Sequence, residues 1–364
     1  KEAALEYSKF SPESYLVGDE ALNADPRECS LVWPMRNGMF ADENSIGHME
    51  KIWRVVLTER LKIEDFHKWS CVVIIDDHVP IHHLKAYCQL CLGDLKFNAV
   101  GFMRCSQAVS FGAGLSSGLI IDCGAQKLSV SCIEDGVLVQ NSISLLGGDT
   151  FLQLFHDLLR VNKFPLKSLD IYSNPSHFKM LEEEIWLKQA NLDDENEVIP
   201  SIAANTPFEF YVKEPGQKDI LVYAVKLLDE RRLPLLQLFE PDLGLLKRYM
   251  LADYDNSFIP CNLQTEPLLT NCMLNPTGIS NWNIVSMITE ALRLYAMDSP
   301  EKLAKFTSNL VITGGGLPEA TLPHFIDILN QHLAPNINLE PVQHGMDGRH
   351  VAWKGGAVFG RLEG

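Results

Sequence analysis

The stretch of residues 119–136, LIIDCGAQKLSVSCIEDG, constrains the fold of this chain more than any other segment. It begins with an apolar run that predicts a buried strand ending at Asp122. A turn containing Gly124 follows, and residues 128–132 then alternate between apolar and polar side chains, which predicts a second strand. Because glycine has no Cβ, its backbone can approach a phosphate closely beside the acid. An ordinary β-hairpin can have the same sequence pattern, so this motif alone does not establish a phosphate site.

Two other segments add glycine turns that favour the phosphate interpretation. Residues 309–317, NLVITGGGL, are a strand that runs into three glycines, and Pro318 with Glu319 favours a helix start directly after them. Residues 349–360, RHVAWKGGAVFG, place a further glycine pair in an apolar setting. Glycine turns at strand-to-helix junctions are where phosphates and nucleotides bind. Three widely separated glycine turns therefore predict a nucleotide held between two lobes.

The composition limits the classes of protein to which this chain can belong. Its 364 residues, 46% hydrophobic, suffice for two domain cores, and no window reaches the roughly 18–20 uninterrupted apolar residues of a membrane span. The net charge of −16 and the lack of a basic run argue against a broad nucleic-acid-binding face. Nine scattered cysteines indicate buried, reduced thiols, and the lone pair Cys88 and Cys91 is typical of a helix face rather than of a zinc site.

Hydrophobic periodicity predicts two α/β regions around a polar middle. Strands are expected at residues 70–80 and 97–103, and from Leu119 and Leu310 onward. Helices are expected at residues 42–61, 81–92, 106–111, 150–159, 283–295 and 322–333. Strand and helix alternate along the first region, which predicts βαβ units and a largely parallel sheet.

With these motifs in place, the chain resembles actin and the actin-related proteins over nearly its whole length. The matching words are YLVGDEA, WPMRNG, MEKIW, SQAV and two of the glycine turns, at residues 15–21, 33–38, 49–53, 106–109, 122–124 and 314–316. The resemblance implies an α/β, actin-like bilobal fold of the superfamily that contains actin, Hsp70 and the sugar kinases. It also implies that ATP, with Mg²⁺ as the divalent ion, binds in the cleft between the lobes.

One nuclear branch of that family is the most similar. Residues 112–137, GAGLSSGLIIDCGAQKLSVSCIEDGV, and residues 352–358, AWKGGAV, differ from the usual actin words. They resemble the nuclear actin-related subunits of INO-class chromatin remodelling complexes. Another nuclear actin-related protein is the alternative.

The resemblance also implies a division into four actin-like subdomains. Residues 1–30 are expected to be a remnant of subdomain 2, residues 31–115 and 352–364 subdomain 1, residues 116–147 and 239–351 subdomain 3, and residues 148–238 subdomain 4. The first phosphate loop of actin has no counterpart here, and it was either removed or lies upstream of Lys1. A proline-rich insertion at residues 243–276 replaces a short actin connection, where it would hinder filament contacts or bind a partner.

The resemblance assigns the nucleotide site residue by residue. The cofactor-binding residues are expected to be Asp122, Gly124, Gln126, Gly314, Gly315, Gly316 and Arg349. Asp122 would also lie in the outer shell of the metal ion, as a weak metal contact. Gln107 is the candidate for positioning the attacking water, and Glu183 with Glu184 falls near the ribose.

The same site departs from actin at two positions. Ala125 stands where actin has an acid, and Ser129 stands where actin has the histidine that helps to orient the attacking water. In-line attack by water needs such a positioned partner. We therefore expect ATP to be held with little turnover, so that the chain is at most a very weak ATPase.

The function implied by the resemblance is that of a non-enzymatic scaffold in the nucleus. Such a subunit docks on a helicase–SANT-associated helix of the remodeller motor subunit, beside actin and another nuclear actin-related protein. The docking groove is expected near Trp33, residues 112–115 and residues 352–359. Nucleosome or linker DNA would be engaged through the complex, in transcription regulation and DNA repair, and no membrane partner is expected. An active ATPase and a self-assembling filament protein are the alternatives.

Overall fold

A computed structural model of the chain describes residues 15–22, 24, 30–42, 44–144, 146–161, 208–213, 220–225, 232–240, 283–296 and 298–361. The predicted insertion at 243–276 and the ribose contacts predicted for Glu183 and Glu184 lie outside these residues. Among the helices that are described, none is long and apolar enough to cross a bilayer.

The described strands form one four-stranded sheet and three two-stranded pairs. Their bounds are β1 Met35–Arg36, β2 Met39–Phe40, β3 Ser70–Ile75, β4 Ala99–Arg104, β5 Gly118–Cys123, β6 Leu128–Glu134, β7 Val137–Ser144, β8 Phe208–Lys213, β9 Ile220–Val225 and β10 Leu310–Thr313. β1 with β2 and β8 with β9 are antiparallel pairs, and β3 with β4 is parallel. The sheet has the strand order β10-β5-β6-β7.

The described helices follow the predicted segments except at Pro300–Thr307 and Val351–Phe359, and the second of these helices replaces the glycine turn expected within residues 349–360. Their bounds are α1 Ser45–Val55, α2 Ile81–Cys88, α3 Cys105–Ala113, α4 Gly148–Val161, α5 Ile284–Tyr295, α6 Pro300–Thr307, α7 Leu322–His332 and α8 Val351–Phe359, with single-turn helices at Asp19–Leu22 and Leu233–Leu236. α1 and α2 each continue into a π turn, Val56–Arg60 and Gln89–Asp94. Short 3₁₀ turns lie at Phe66–Lys68, Glu319–Thr321 and Gly348–His350.

The four-stranded sheet is mixed rather than largely parallel. β10 runs parallel to β5, whereas β6 is antiparallel to both β5 and β7. The reason lies in the connections, since short turns join β5, β6 and β7, and a parallel neighbour needs a crossover of a dozen or more residues. Parallel pairing is confirmed for β3 with β4 and for β5 with β10.

β5 lies between two hydrophobic layers, which explains its uninterrupted apolar sequence. Leu119 and Ile121 face a core built with α4, α5 and α7. Ile120 faces the opposite way, into a cluster with Val109 of α3 and Val351 of α8. A strand that is covered on both faces is apolar at successive positions. The four-stranded sheet with α4, α5 and α7 is called the second lobe below.

The first lobe consists of β1–β4 with α1 and α2, and it has a core of its own. The buried side chains that fill this core are Phe66, Val73, Ile75, Tyr87, Leu90, Cys91, Leu95 and Phe97. α3 and α8 join the two lobes, because α8 packs against β3 while Val109 and Val351 pack on the sheet of the second lobe.

Candidate functional site

Two of the predicted glycine turns meet at one edge of the second-lobe sheet. The 124–127 turn follows β5 and the three glycines follow β10, and both turns leave the same edge because the two strands are parallel. The Gly316 N–H donates to the Cys123 carbonyl at 2.8 Å, and the Gly148 N–H donates to the Gly124 carbonyl at 2.9 Å. The carboxyl edge of parallel strands is where open α/β sheets bind ligands.

The second of these turns depends on its glycines and lies beside Arg349. Gly314 has a φ of +93°, and a Cβ at this position would lie 2.7 Å from Asp122 Oδ1. A Cβ on Gly315 would lie 3.3 Å from Arg349 Cδ, which places the stem of that side chain against the turn. The Arg349 guanidinium binds Asp347, with Nη2 2.6 Å from Oδ2, and holds the pKa of Asp347 down to about 2.

The carboxyl group of Asp122 is partly buried, and it accepts a hydrogen bond from a weak donor. The thiol of Cys105, at the first position of α3, donates to Asp122 Oδ2 over a sulfur–oxygen distance of 3.6 Å. Removal from water raises the pKa of Asp122 to about 6, the charge of Asp77 adds to this rise, and the thiol opposes it. Burial and the same two acids raise the pKa of the Cys105 thiol well above its ordinary value. The thiol is therefore neutral at physiological pH.

Asp77 is a second buried carboxylate, and it ties four elements together. Its Oδ1 accepts hydrogen bonds from the Ser106 N–H at 3.1 Å and from the Ser106 hydroxyl at 2.9 Å. Its Oδ2 accepts from the Asn141 amide at 2.9 Å and from the Ser131 hydroxyl at 3.3 Å. Asp77 thus links the end of β3 to the start of α3 and to β6 and β7. The signal for it in the sequence was an acidic pair directly after an apolar strand.

Gln107 does not face Asp122 in this structure. Its side-chain amide donates to the Gly136 carbonyl at 2.9 Å, in the turn between β6 and β7. Residues two apart on a helix point in different directions, so Cys105 faces Asp122 while Gln107 points elsewhere. The water-positioning role expected for Gln107 stays a prediction, and in this conformation the α3 side chain beside Asp122 is that of Cys105.

The two departures from actin lie on the strand paired with Asp122 and in the turn that follows it. Ser129 of β6 pairs directly with Asp122 of β5 and is buried. Ala125 is exposed in the 124–127 turn, where its carbonyl accepts a hydrogen bond from the Asp149 N–H at 2.6 Å. Asp122 thus has the Cys105 thiol and the residue Ser129 as neighbours, and Ala125 follows in the turn.

The other two side chains of the 124–127 turn contact the first lobe. Gln126 Oε1 accepts a hydrogen bond from the Asn37 N–H at 2.5 Å. The Lys127 ammonium forms an ion pair with the Asp76 carboxylate. In this conformation Gln126, which was expected to bind the cofactor, binds the β1–β2 hairpin.

The expected docking groove is open along α8 but not at Gly112. The Cβ that another residue would carry at Gly112 overlaps the backbone of α8, so this glycine lies inside the contact between α3 and α8. α8 exposes Trp353, Val358 and Phe359, and the Phe359 ring packs edge-on against Phe111 of α3 with ring centroids 6.4 Å apart. Trp33 and, at the first position of β7, Val137 are exposed as well.

Comparison with protein families identifies this architecture. The family model named Actin matches residues 3–201, which is more than half of the chain. The chain belongs to the actin family. A search of solved structures agrees, since human actin-related protein Arp8 in its ATP-bound state matches with a TM-score of 0.77 at 22% identity, over 95% of this chain and 67% of that chain. The actin-like fold expected from the sequence is thereby confirmed.

Curated relatives place the chain near one branch of the actin-related proteins. The Salmo salar protein named actin-related protein 8 is 31% identical over 242 residues, covering 62% of this chain and 37% of that protein. A Schizosaccharomyces pombe protein named probable actin-related protein 8 is 26% identical over 424 residues, covering 95% of this chain and 62% of that protein. This chain is an actin-related protein similar to actin-related protein 8, and it spans less than two thirds of the length of these two relatives.

The residues at the sheet edge of this actin-related protein fit a nucleoside triphosphate with a counter-ion. The two glycine turns offer main chain that carries few side chains, the stem of Arg349 lies against Gly315, and Asp122 supplies a carboxylate. Within the described ranges, no group of three or more His, Cys, Asp and Glu side chains converges to hold an ion directly. A divalent ion would thus be held mainly by phosphates, with Asp122 reaching it through water.

Proposed function

We propose that this chain is a nuclear actin-related scaffold subunit of an ATP-dependent chromatin remodelling complex, and that it binds ATP with little turnover. The observation that carries the proposal is the set of three side chains at Asp122 and in the turn after it: Cys105 bonds to Asp122, Ser129 pairs with it across the sheet, and Ala125 lies in the turn. The ATP-bound state of human Arp8 supports the nucleotide part of the proposal. The scaffold role follows because a cleft that lacks hydrolytic side chains can bind ATP but not consume it, so its function is binding rather than catalysis.

None of the three side chains activates water at neutral pH. The thiol of Cys105 has a strongly raised pKa and is bonded to Asp122 as a donor, so it is not a base. The methyl group of Ala125 offers neither a donor nor an acceptor, and a serine hydroxyl such as that of Ser129 takes up no proton near neutral pH. In-line attack on a γ-phosphate needs water held by such a base or orienting group.

The partner in this proposal is a long amphipathic helix of the motor subunit, the helicase–SANT-associated helix, which docks beside actin and another nuclear actin-related protein. The exposed aromatic and apolar side chains of α8 support this assignment, with Trp353 67% and Phe359 40% exposed. Contiguous exposed apolar surface is typical of interaction sites. A helix laid on such a surface is anchored by a few apolar side chains at i, i+4 and i+7. Nucleosome or linker DNA is engaged through the assembled complex.

Pull-down of the motor-subunit helix tests the docking surface. Phe359→Asp should reduce capture at least about tenfold, because it places a charge among the exposed apolar side chains of α8. Trp69→Asp is the matched control, since Trp69 is 54% exposed at the start of β3, outside α8, and should leave capture unchanged. Separately, residues 243–276 are deleted. Capture that survives Phe359→Asp but is lost with the deletion would assign docking to the insertion and refute the α8 surface.

A weakly active ATPase is the second candidate, and hydrolysis under single-turnover conditions separates the two. The parent chain should hydrolyse bound ATP more slowly than actin does. A variant carrying Ala125→Asp and Ser129→His restores the acid and the histidine that actin has at these positions, and it should be faster than the parent. A parent chain as fast as actin would replace the scaffold proposal with the enzymatic one.

A further inference from the structure

The 124–127 turn of the second lobe is fastened to the first lobe by two side chains. The Asn37 N–H, at the tip of the β1–β2 hairpin, donates to Gln126 Oε1 at 2.5 Å. The Lys127 ammonium pairs with the carboxylate of Asp76, which follows β3. Both contacts cross from one lobe to the other, and they lie on neighbouring residues of the same turn.

The ion pair is shielded from water, and the hairpin tip is shaped to cover it. The side chains of Lys127 and Asp76 are only 18% and 13% exposed. A Cβ on Gly38 would lie 2.7 Å from Asp76 Oδ2 and 3.0 Å from Lys127 Nζ, so the glycine packs directly on the pair. Asn37 and Gly38 both have positive φ, +51° and +79°, as in the tight hairpin turns that Asn-Gly favours. A larger residue at 38 would push the hairpin off the pair.

Because it is shielded from water, the ion pair between Lys127 and Asp76 is stronger than an exposed surface pair. Exposed ion pairs are screened by salt and contribute little, whereas a pair with reduced access to water is screened less. Removing one partner of such a pair leaves a charge that has lost both water and its counter-ion. The pair therefore resists opening, and it holds the neighbouring Gln126 within reach of the Asn37 amide.

We propose that Gln126 and Lys127 form a latch that holds the 124–127 turn on the first lobe, so that the cleft stays closed when no nucleotide is bound. In this structure protein side chains of the turn already bridge the two lobes. The latch is separate from the proposed docking on α8. It gives a subunit with little ATP turnover a fixed shape whether or not its cleft is filled.

Amide hydrogen exchange of the nucleotide-free full chain tests the latch. Lys127→Met and Asp76→Asn should each speed exchange at the Asn37 amide by roughly tenfold, although neither removes the acceptor of that amide. The double variant should be no faster than the singles, because the two side chains act through each other. Asp65→Asn is the matched control, since it breaks the exposed pair with Lys68 on the outer surface and should not alter exchange at Asn37.

Two results would overturn the latch. One is exchange at Asn37 that stays within about twofold of the parent in both single variants. The other is an additive effect in the double variant. Gln126→Ala covers the case in which a charge variant misfolds, because it removes only the acceptor of the Asn37 amide. It should keep the far-ultraviolet circular dichroism of the parent and speed exchange at Asn37, and unchanged exchange in this folded variant would likewise refute the latch.

Discussion

Two carboxylates near the cleft differ in how the chain surrounds them. Asp77 accepts four hydrogen bonds from α3, β6 and β7, which satisfy both of its oxygens. Within the described part of the chain, Asp122 receives one weak hydrogen bond, from the Cys105 thiol, and burial raises its pKa to about 6. A cation near Asp122 would relieve this unfavourable charge, which suits a residue expected beside a metal ion.

The raised pKa of Asp122 makes a prediction about stability. The folded value of about 6 lies above the ordinary 3.8, so the folded chain binds this proton more tightly than the unfolded chain. The Asp122 carboxyl therefore lowers stability as the pH rises from about 4 to above 6. Asp122→Asn should be more stable than the parent at neutral pH by about 3 kcal/mol, with the difference vanishing near pH 4. Urea unfolding with EDTA and without nucleotide measures it.

Asp347→Asn is the control of opposite sign for this measurement. Arg349 holds the pKa of Asp347 at about 2, so this carboxylate adds stability above pH 4 that is lost as the pH falls toward 2. The variant should be slightly less stable than the parent at neutral pH, and the effect is small because the pair is exposed. An Asp122→Asn chain that is no more stable than the parent would mean that a contact stabilises the Asp122 charge.

At the scale of elements, the contact between α3 and α8 joins the lobes. Gly112 and Gly355 face each other across it, and a Cβ on either residue would overlap the backbone of the opposite helix. Gly356 approaches β3 in turn, where a Cβ would lie 2.9 Å from Ile74 Cδ1. The glycine-rich motif AWKGGAV thus allows close helix packing in this structure. This packing holds the exposed side chains of α8 at a fixed position on the surface.

Gly355→Ala should destabilise the chain by roughly 3 kcal/mol, because the added methyl group meets backbone that cannot rotate away. Gly47→Ala in α1 is the matched control, since nothing lies within 4 Å of its added Cβ. That change should raise stability by about 0.5 kcal/mol through helix propensity. Chemical denaturation measures both variants. Equal stability of Gly355→Ala and the parent would show that α3 and α8 are not held in this close contact.

At the scale of the whole molecule, charge decides which partners the chain meets unaided. The net charge is −16, and 47 acidic residues stand against 31 Lys and Arg. Such a balance repels nucleic acid and favours basic partners. DNA engagement in the proposed complex therefore depends on partner subunits or on segments beyond residues 1–364.

We expect residues 1–364 alone to bind duplex DNA weakly. Phosphate contacts from Lys and Arg supply most non-specific affinity, and their number sets the slope of affinity against salt. Fluorescence anisotropy with a labelled duplex, repeated over a range of salt concentrations, should give weak binding with a shallow slope. A tight complex whose affinity falls steeply with salt would contradict this prediction, because it would indicate a local basic surface despite the negative net charge.

The sequence by itself determined the local elements of this actin-related protein. The alternation in residues 128–132, the apolar run before Asp122 and the spacing in α5 each encode an element, because periodicity is a property of neighbouring residues. The family resemblance added the bilobal fold. Only the tertiary structure decided that Cys105 rather than Gln107 faces Asp122, and that Gln126 and Lys127 reach Asn37 and Asp76. Such outcomes depend on helical phase and on contacts between residues tens of positions apart, which local patterns do not encode.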